Sequence, residues 1–549
     1  MRALSSWTGR AARTGSSEGV NKGTMYDKRE MSLMNKLQVF SREFGTTALL
    51  CFGLITNSSW PYAFFNMGLP LNNGGPAGML WMTIVAAIGI FMCDLSLAEM
   101  ASMSPSSAGP YQWTAELAPA SCQKLLSFVV GYYDVLGWQA ALAFSAFLIA
   151  SNIQGLLFLF QPSYVAHSYH ITLLMIASAL VTIIVNYRST RILRHASWLM
   201  GVLFIALWLY ICITLAVMAP HPNTSALVSS IALDFQDPSG WGSSFAVLVG
   251  ILGPISTFVG GDVSCHMSEE TKDASVSVPR AIWRSAALGY TMTILTTLLI
   301  IFSLGPDVSA ILGSPSGQPY QQMLYNATKR EDMTAIMVTF MLMLIFFSQV
   351  TTTTASSRQM FTFARDGGLP LHNFLSQVTS STHIPRNSVF VTFIIVSLLS
   401  LIPLGSVIAF NIITSLSSIA IFSSYWISIA CRLSNRFSRN RIQQPRWNMG
   451  KAGVFVNAFA LIFLTLGIIM ICFPSAPHPT PASFNWTVVI WGGVTIFALV
   501  YYVVYGKRHY VSPRSRITQT GLEDDLAMQQ FESEEMRKDG DVRVMADEA

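Results

Sequence analysis

The apolar positions of this chain gather in long, nearly unbroken runs, not in the alternations of soluble helices and strands. Runs of about 20 residues, enough to cross a hydrocarbon core as a helix, occupy 45–68, 76–99, 124–155, 170–187, 196–219, 243–268, 281–304, 333–361, 387–404, 407–431, 453–473 and 486–505. They predict an all-α polytopic membrane protein with twelve spans. Two of the runs are interrupted. The sixth breaks at Gly250, Gly253, Pro254 and the pair Gly260–Gly261, then continues through Asp262 and His266 into charge. The first carries Asn57, Ser58, Ser59 and Pro61 at mid-depth. Lipid cannot replace the backbone pairing lost at such points, so both breaks must be buried in protein or line a cavity. A carboxylate beside a break marks a substrate or ion path, since an unpartnered charge at that depth is costly.

Interrupted helices five spans apart are the signature of an inverted-repeat transporter, with spans 1–5 and 6–10 as the repeats and spans 11 and 12 appended. Free amides at the half-helix starts suit an anionic group; free carbonyls at the half-helix ends suit an ammonium or a cation. The plainer reading is a pair of kinked structural helices with Ser and Thr filling the freed backbone groups.

Composition agrees with a membrane class. The chain of 549 residues is 52% hydrophobic and 11% charged, against about 25% charged for soluble domains. Seven cysteines lie mostly within apolar runs, without the spacings of a disulfide framework or a metal site. The nine histidines form no H-x-x-x-H or H-E-x-x-H pair, which speaks against a membrane metalloenzyme. No repeated filter pattern suggests a channel. Nothing points to a cofactor, a metal or nucleic acid; the expected partners are a small-molecule substrate, a coupling cation and the lipid bilayer.

The net charge of +5 is unevenly distributed. Basic residues follow the even-numbered spans, among them Arg188, Arg191, Arg194, Lys272, Arg280, Arg358, Arg365, Arg386, Arg432, Arg436 and Arg446. The positive-inside bias therefore puts that side, and both termini, in the cytoplasm. N-glycosylation sequons at Asn223, Asn326 and Asn485 all fall on the opposite side. Residues 1–44 and the acidic tail 506–549 have too few apolar residues for a core and are expected to be disordered around a permease domain at 45–505.

Four blocks carry a family resemblance: LSLAEMASMSPSSAGPYQW (95–113), GWQAALA (137–143), GGDVSCHMSEETKDASVSVPRAI (260–282) and ASSRQMFTFARDGGLP (355–370). Together they resemble the amino acid–polyamine–organocation superfamily, and within it the fungal amino acid/choline transporter branch. The resemblance spans about 40–505. It implies a LeuT-like five-plus-five fold, substrate at the breaks of spans 1 and 6, and secondary active transport of an amino acid or related amine driven by a cation gradient, commonly protons. A choline, quaternary-amine or 4-aminobutyrate permease is the alternative, and the plasma membrane the expected location.

On this reading the substrate-binding candidates are Thr56, Asn57, Ser58, Ser59, Trp60, Phe258, Gly260, Gly261 and Asp262. The coupling or gating candidates are Asp134, His266, Glu269, Arg365 and Asp366. Trp60 and Phe258 could gate, or place an aromatic face over an ammonium; as packing residues they would be equally at home. Asp262 could cap the second half of span 6 or act as a charge. Asp94 is expected to pair locally near the inner end of span 2. Some proton-coupled relatives place a lysine in span 5; residues 197–218 hold no charge, which leaves the coupling ion open.

Overall fold

The computed structural model describes residues 23–34, 36, 38–161, 163–187, 190–219, 235–305, 307–379, 384–405, 409–437, 445–474, 476–480 and 484–513. Among them eleven helical segments are long and apolar enough to cross a membrane: Gly75–Met103, Gln123–Phe160, Ser168–Asn186, Leu193–Met218, Ser244–Glu270, Ala274–Ser303, Glu331–Arg365, Arg386–Gly405, Ile412–Phe437, Ala452–Ile471 and Thr487–His509. Each falls on one of the apolar runs 2 to 12. The first run is split into Thr46–Asn57 and Ser59–Phe65, so neither half is long enough alone. With it the twelve expected spans are complete, and they are numbered so below.

Burial sorts the spans into a centre and a rim. In its most apolar window span 10 is 89% buried and span 6 is 78% buried, whereas span 12 is 11% buried. Spans 6 and 10 therefore lie inside the bundle, and span 12 presents Val489, Ile496, Val500 and Val503 outward, as a lipid-facing helix does. Small residues bring the inner helices together. A side chain on Gly137 of span 3 would strike Ile421 of span 10, and one on Gly89 of span 2 would strike Phe463 of span 11. Spans 2 and 7, in matching places of the two repeats, pack along each other. A short helix, Pro110–Leu117, links spans 2 and 3 and packs on spans 3 and 10. It opens at Gly109, whose φ of 61° lets the chain turn against Cys265 and His266.

The described parts of both flanking regions are ordered where disorder was expected. Residues 24–34, 36 and 38–44 form a helix, Met25–Leu33, and an extended strap docked across the basic end of the bundle. Polar anchoring explains why a segment poor in apolar residues is ordered. Asp27 accepts from the amides of Asp273 (2.9 Å) and Ala274 (3.1 Å) at the start of span 7. It also pairs at 3.1 Å with Arg42, both side chains being fully buried. Arg42 donates to the carbonyls of Ser268 and Thr271, and Lys36 donates to Ser106 and Gln112, 2.8 Å each. At the other end of the chain, residues 506–513 dock as well: Tyr510 is buried with its hydroxyl 2.7 Å from Ser127 Oγ, and the Val511 amide donates to Asp366 O. Residues 1–22 and 514–549 lie outside the described residues.

Glu30, one turn from Asp27, makes this attachment pH-sensitive. Burial raises its carboxyl to about 7, with the charge of Asp27 adding to the rise against a hydrogen bond to Ser275. The docked segment holds a proton that the released one gives up, so attachment should weaken as pH rises from about 5 through 7. Limited proteolysis of the purified protein within residues 24–44 is expected to be faster at pH 8 than at pH 6. Glu30→Gln should remove that difference; an undiminished difference would contradict this account.

Candidate functional site

Span 1 is helical to Asn57 and restarts at Ser59. Between them Ser58 is left-handed, with φ 40° and ψ 40°, a conformation that costs a non-glycine residue roughly 1–2 kcal/mol. Its hydroxyl donates to the Ile55 carbonyl, the acceptor a continuous helix would offer to the Ser59 amide. Pro61 stands in the first turn of the restarted half, where no amide hydrogen is required. The Thr56 carbonyl accepts from Ser348 Oγ of span 8 at 2.7 Å, while the Thr56 hydroxyl bonds back to Phe52 O at 2.6 Å.

Span 6 is helical from Leu252 to Phe258 and resumes as a tighter 3₁₀ helix over Gly261–Glu270. Gly260 has φ 110°, accessible without strain only to glycine. The two breaks meet here. A Cβ on Gly260 would lie 3.4 Å from Asn57 Oδ1 and 3.4 Å from the ring edge of Trp138 of span 3. Gly261 serves close approach instead, since any side chain there would collide with the Asp94 carboxylate of span 2.

A continuous span 6 would bond the Asp262 amide to the Phe258 carbonyl. Here two tyrosines hold the two ends apart. Tyr290 of span 7 has its hydroxyl 3.0 Å from Phe258 O, and the Asp262 amide donates to Tyr425 Oη of span 10 at 3.3 Å. Each tyrosine also meets a carboxylate. Tyr290 Oη is 2.6 Å from Asp94 Oδ2, and Tyr425 donates to Asp262 Oδ1. The second oxygen of Asp262 lies 3.2 Å from His266 Nε2, and His266 Nδ1 lies 2.9 Å from the Ser107 carbonyl. Ser424, beside Tyr425, donates to Asp134 Oδ1. Asp94, Asp134, Asp262 and His266 are all buried, and among the described residues no lysine or arginine ion-pairs with any of them. Asp262, Cys265 and His266 bring their polar atoms within 4.8 Å of one another. The imidazole nitrogens and both carboxylate oxygens are already engaged by Ser107, Tyr425 and each other, so we assign no metal ligand here.

The structure sorts the expected site residues. Asn57, Ser58, Gly260 and Gly261 form the facing breaks, and Thr56 presents its carbonyl beside them. Ser59 lies against span 7, where a Cβ on Gly289 would come within 2.8 Å of its hydroxyl. Trp60 is buried between Phe64 and Phe204 of span 5, and Phe258 lies edge-on to Tyr290 at 4.5 Å. The carboxylate of Asp262 is turned to Tyr425 and His266, and Gly260, not Asp262, stands at the cap of the second half of span 6. Asp94 does not pair within its own helix but reaches span 7. Trp138, Tyr290, Tyr425 and Ser348 are additions that an apolar run conceals; only Trp138 stood in a recognisable block.

At the basic end, Glu269 takes a two-pronged contact from Arg365 (2.9 and 3.2 Å), and Arg358 pairs with Glu270 at 2.8 Å. Asp366 accepts from Tyr111 Oη at 2.9 Å; burial raises its carboxyl against the pull of Lys36 and Arg365. These pairs tie the end of span 6 to span 8.

Comparison with known proteins follows the same lines. A family described as "Amino acid permease" matches residues 43–494. An uncharacterised amino-acid permease of Schizosaccharomyces pombe is 29% identical over 483 residues, covering 87% of this chain and 88% of the relative. Amino-acid permease 2 of Neurospora crassa is 28% identical over 508 residues, covering 92% and 91%. Among solved structures, a mutant manganese transporter of Eremococcus coleocola superposes with a TM-score of 0.52 at 14% identity, covering 91% of this chain and 99% of its own. That similarity concerns the fold.

The left-handed Gly260 beside Asn57 gives a direct test. Gly260→Leu should lower uptake by about 100-fold or more through displacement of the break, with the protein still reaching the cell surface. Uptake at the normal rate would place the break away from the substrate.

Proposed function

The chain belongs to the amino acid permease family, and from that premise we propose that it moves an amino acid across the membrane by alternating access. The substrate is held where the breaks of spans 1 and 6 face each other, and a proton moves with it. One observation carries this reading: a side chain added at Gly260 would meet Asn57 of the other break on one side and Trp138 on the other. Backbone groups freed from two helices thus converge on one point, as recognition of an α-amino and an α-carboxyl group requires. The side chain of the substrate makes no demand on that backbone, so the cargo class follows and the individual amino acid does not. Glu269–Arg365 and Glu270–Arg358 act as the gate at the basic end, separating when the site opens there.

We place the basic end in the cytoplasm of a plasma-membrane protein, with both termini on that side, because of the positive-inside bias. Glycosylation fits that orientation at Asn326, which is half-buried, and at Asn223, which lies outside the described residues. Asn485 is a poor acceptor: it is buried, and its amide nitrogen donates to Ile471 O (2.8 Å) and Phe473 O (3.3 Å). A quaternary amine is the second reading, favoured by Trp138 at the break, since an indole attracts such a cation. Excess choline that suppresses uptake of labelled amino acids would favour it; competition restricted to amino acids would exclude it.

Two tests address the rest. Asp262→Asn keeps the shape but cannot share a proton with His266, so uptake should fall about 10- to 100-fold at every external pH, with partial retention in Asp262→Glu; a fully active Asn variant would remove Asp262 from the mechanism. A cysteine at Asn223 should react with an impermeant maleimide on intact cells, and one at Lys451 should not. The reverse pattern would invert the orientation.

A further inference from the structure

The hydrogens available at the span 6 break do not suffice for its contacts unless extra protons are present. Tyr290 has a single phenolic hydrogen, yet its oxygen lies 2.6 Å from Asp94 Oδ2 and 3.0 Å from Phe258 O. A carbonyl only accepts. Both contacts are fully made when Asp94 is protonated and donates to the phenol, leaving the phenol to donate to Phe258. With Asp94 ionised, the charged acceptor draws the phenolic hydrogen, because a bond to a charged group is about twice as strong as one between neutral groups, and the Phe258 carbonyl is released. Among the described residues the other oxygen of Asp94 has no hydrogen-bond partner, although the residue is fully buried, and it is the atom aimed at Gly261 of the break.

We propose that Asp94 is the coupling-proton site of this permease, and that Tyr290 converts its protonation into the state of the Phe258 carbonyl at the substrate site. This rests on the proton-coupled reading above and deepens it. The groups that face Asp94 are Tyr290 from span 7, Asp262 from span 6, Tyr425 from span 10 and the neighbouring Cys93. None is a cation. Asp262 in turn faces Asp134, Cys265 and His266. Its contact with His266 also needs a proton of its own, since Nδ1 must donate to Ser107 O and the Nε2 to carboxylate contact closes only through a further hydrogen. Two protonatable positions therefore flank the break, on spans 2 and 6. Loading Asp94 lets Tyr290 hold the Phe258 carbonyl and with it the shape of the break that receives substrate; unloading it draws the phenolic hydrogen away and releases that shape. Proton and substrate thus favour one arrangement of the break, which supplies the differential contact that coupling between two ligands requires.

The experiment uses the full-length protein in liposomes loaded with a pH-sensitive dye. Wild type should acidify the lumen when an amino acid is added outside, and accumulate it along an inward proton gradient. Asp94→Asn, a fixed neutral mimic, should lose gradient-driven accumulation by about tenfold or more, while one-for-one exchange of labelled substrate at equal pH, which moves no net proton, falls by less than about tenfold. Asp94→Glu should keep coupled proton entry with a displaced pH profile. Coupled proton entry in Asp94→Asn at the wild-type ratio would overturn the assignment and leave the permease reading intact. No proton entry with wild type would overturn proton coupling itself, and this assignment with it. Should Asp94→Asn fail to fold, Tyr290→Phe decides: a substrate affinity that no longer changes with external pH supports the assignment, and wild-type accumulation overturns it.

Discussion

A backbone hydrogen bond given up inside a bilayer has to be replaced, because lipid offers neither donor nor acceptor. In this protein the bond between the Phe258 carbonyl and the Asp262 amide is replaced at each end by a tyrosine, from spans 7 and 10. Much of the central architecture follows from that need. Spans 7 and 10 must lie against span 6, Gly260 and Gly261 must lack side chains so that Asn57, Trp138 and Asp94 can approach, and the tyrosines need carboxylates within reach. The result is a polar layer in an apolar bundle, with few cations and several places for a proton.

The basic end works by a different principle. There charges are paired, Glu269 with Arg365 and Glu270 with Arg358, and the strap of residues 24–44 is fixed by Asp27 and Arg42. Such pairs hold firmly when buried and lose little when they separate into water. That would suit the gate proposed there, whereas the layer at the break suits small shifts of hydrogen position.

The spans were legible in the sequence because length and apolarity decide them, and the two breaks were legible because Gly, Pro and clustered Ser and Asn are rare in a lipid-facing helix. The residues that complete the site were not. Tyr290 and Tyr425 sit in apolar runs where a tyrosine is ordinarily packing, and their roles come from spans that only the fold brings beside span 6. Asp94 read as a local partner for the same reason: nothing along span 2 announces a phenol from span 7. The ordering of residues 24–44 escaped composition because it depends on a few buried polar anchors, not on apolar area. At Asn485, three residues of sequon do not report that the amide is already bonded.

The central claim, that substrate binds where the two broken helices face each other, is tested most directly by a cryo-electron microscopy reconstruction of the protein in nanodiscs with a transported amino acid at saturation. The account predicts density for the amino acid between Asn57–Ser59 and Phe258–Gly261, with its ammonium at a freed carbonyl and its carboxylate at freed amides. Substrate density elsewhere, for example among Asn66, Thr83 and Thr297, with both breaks empty, would contradict it.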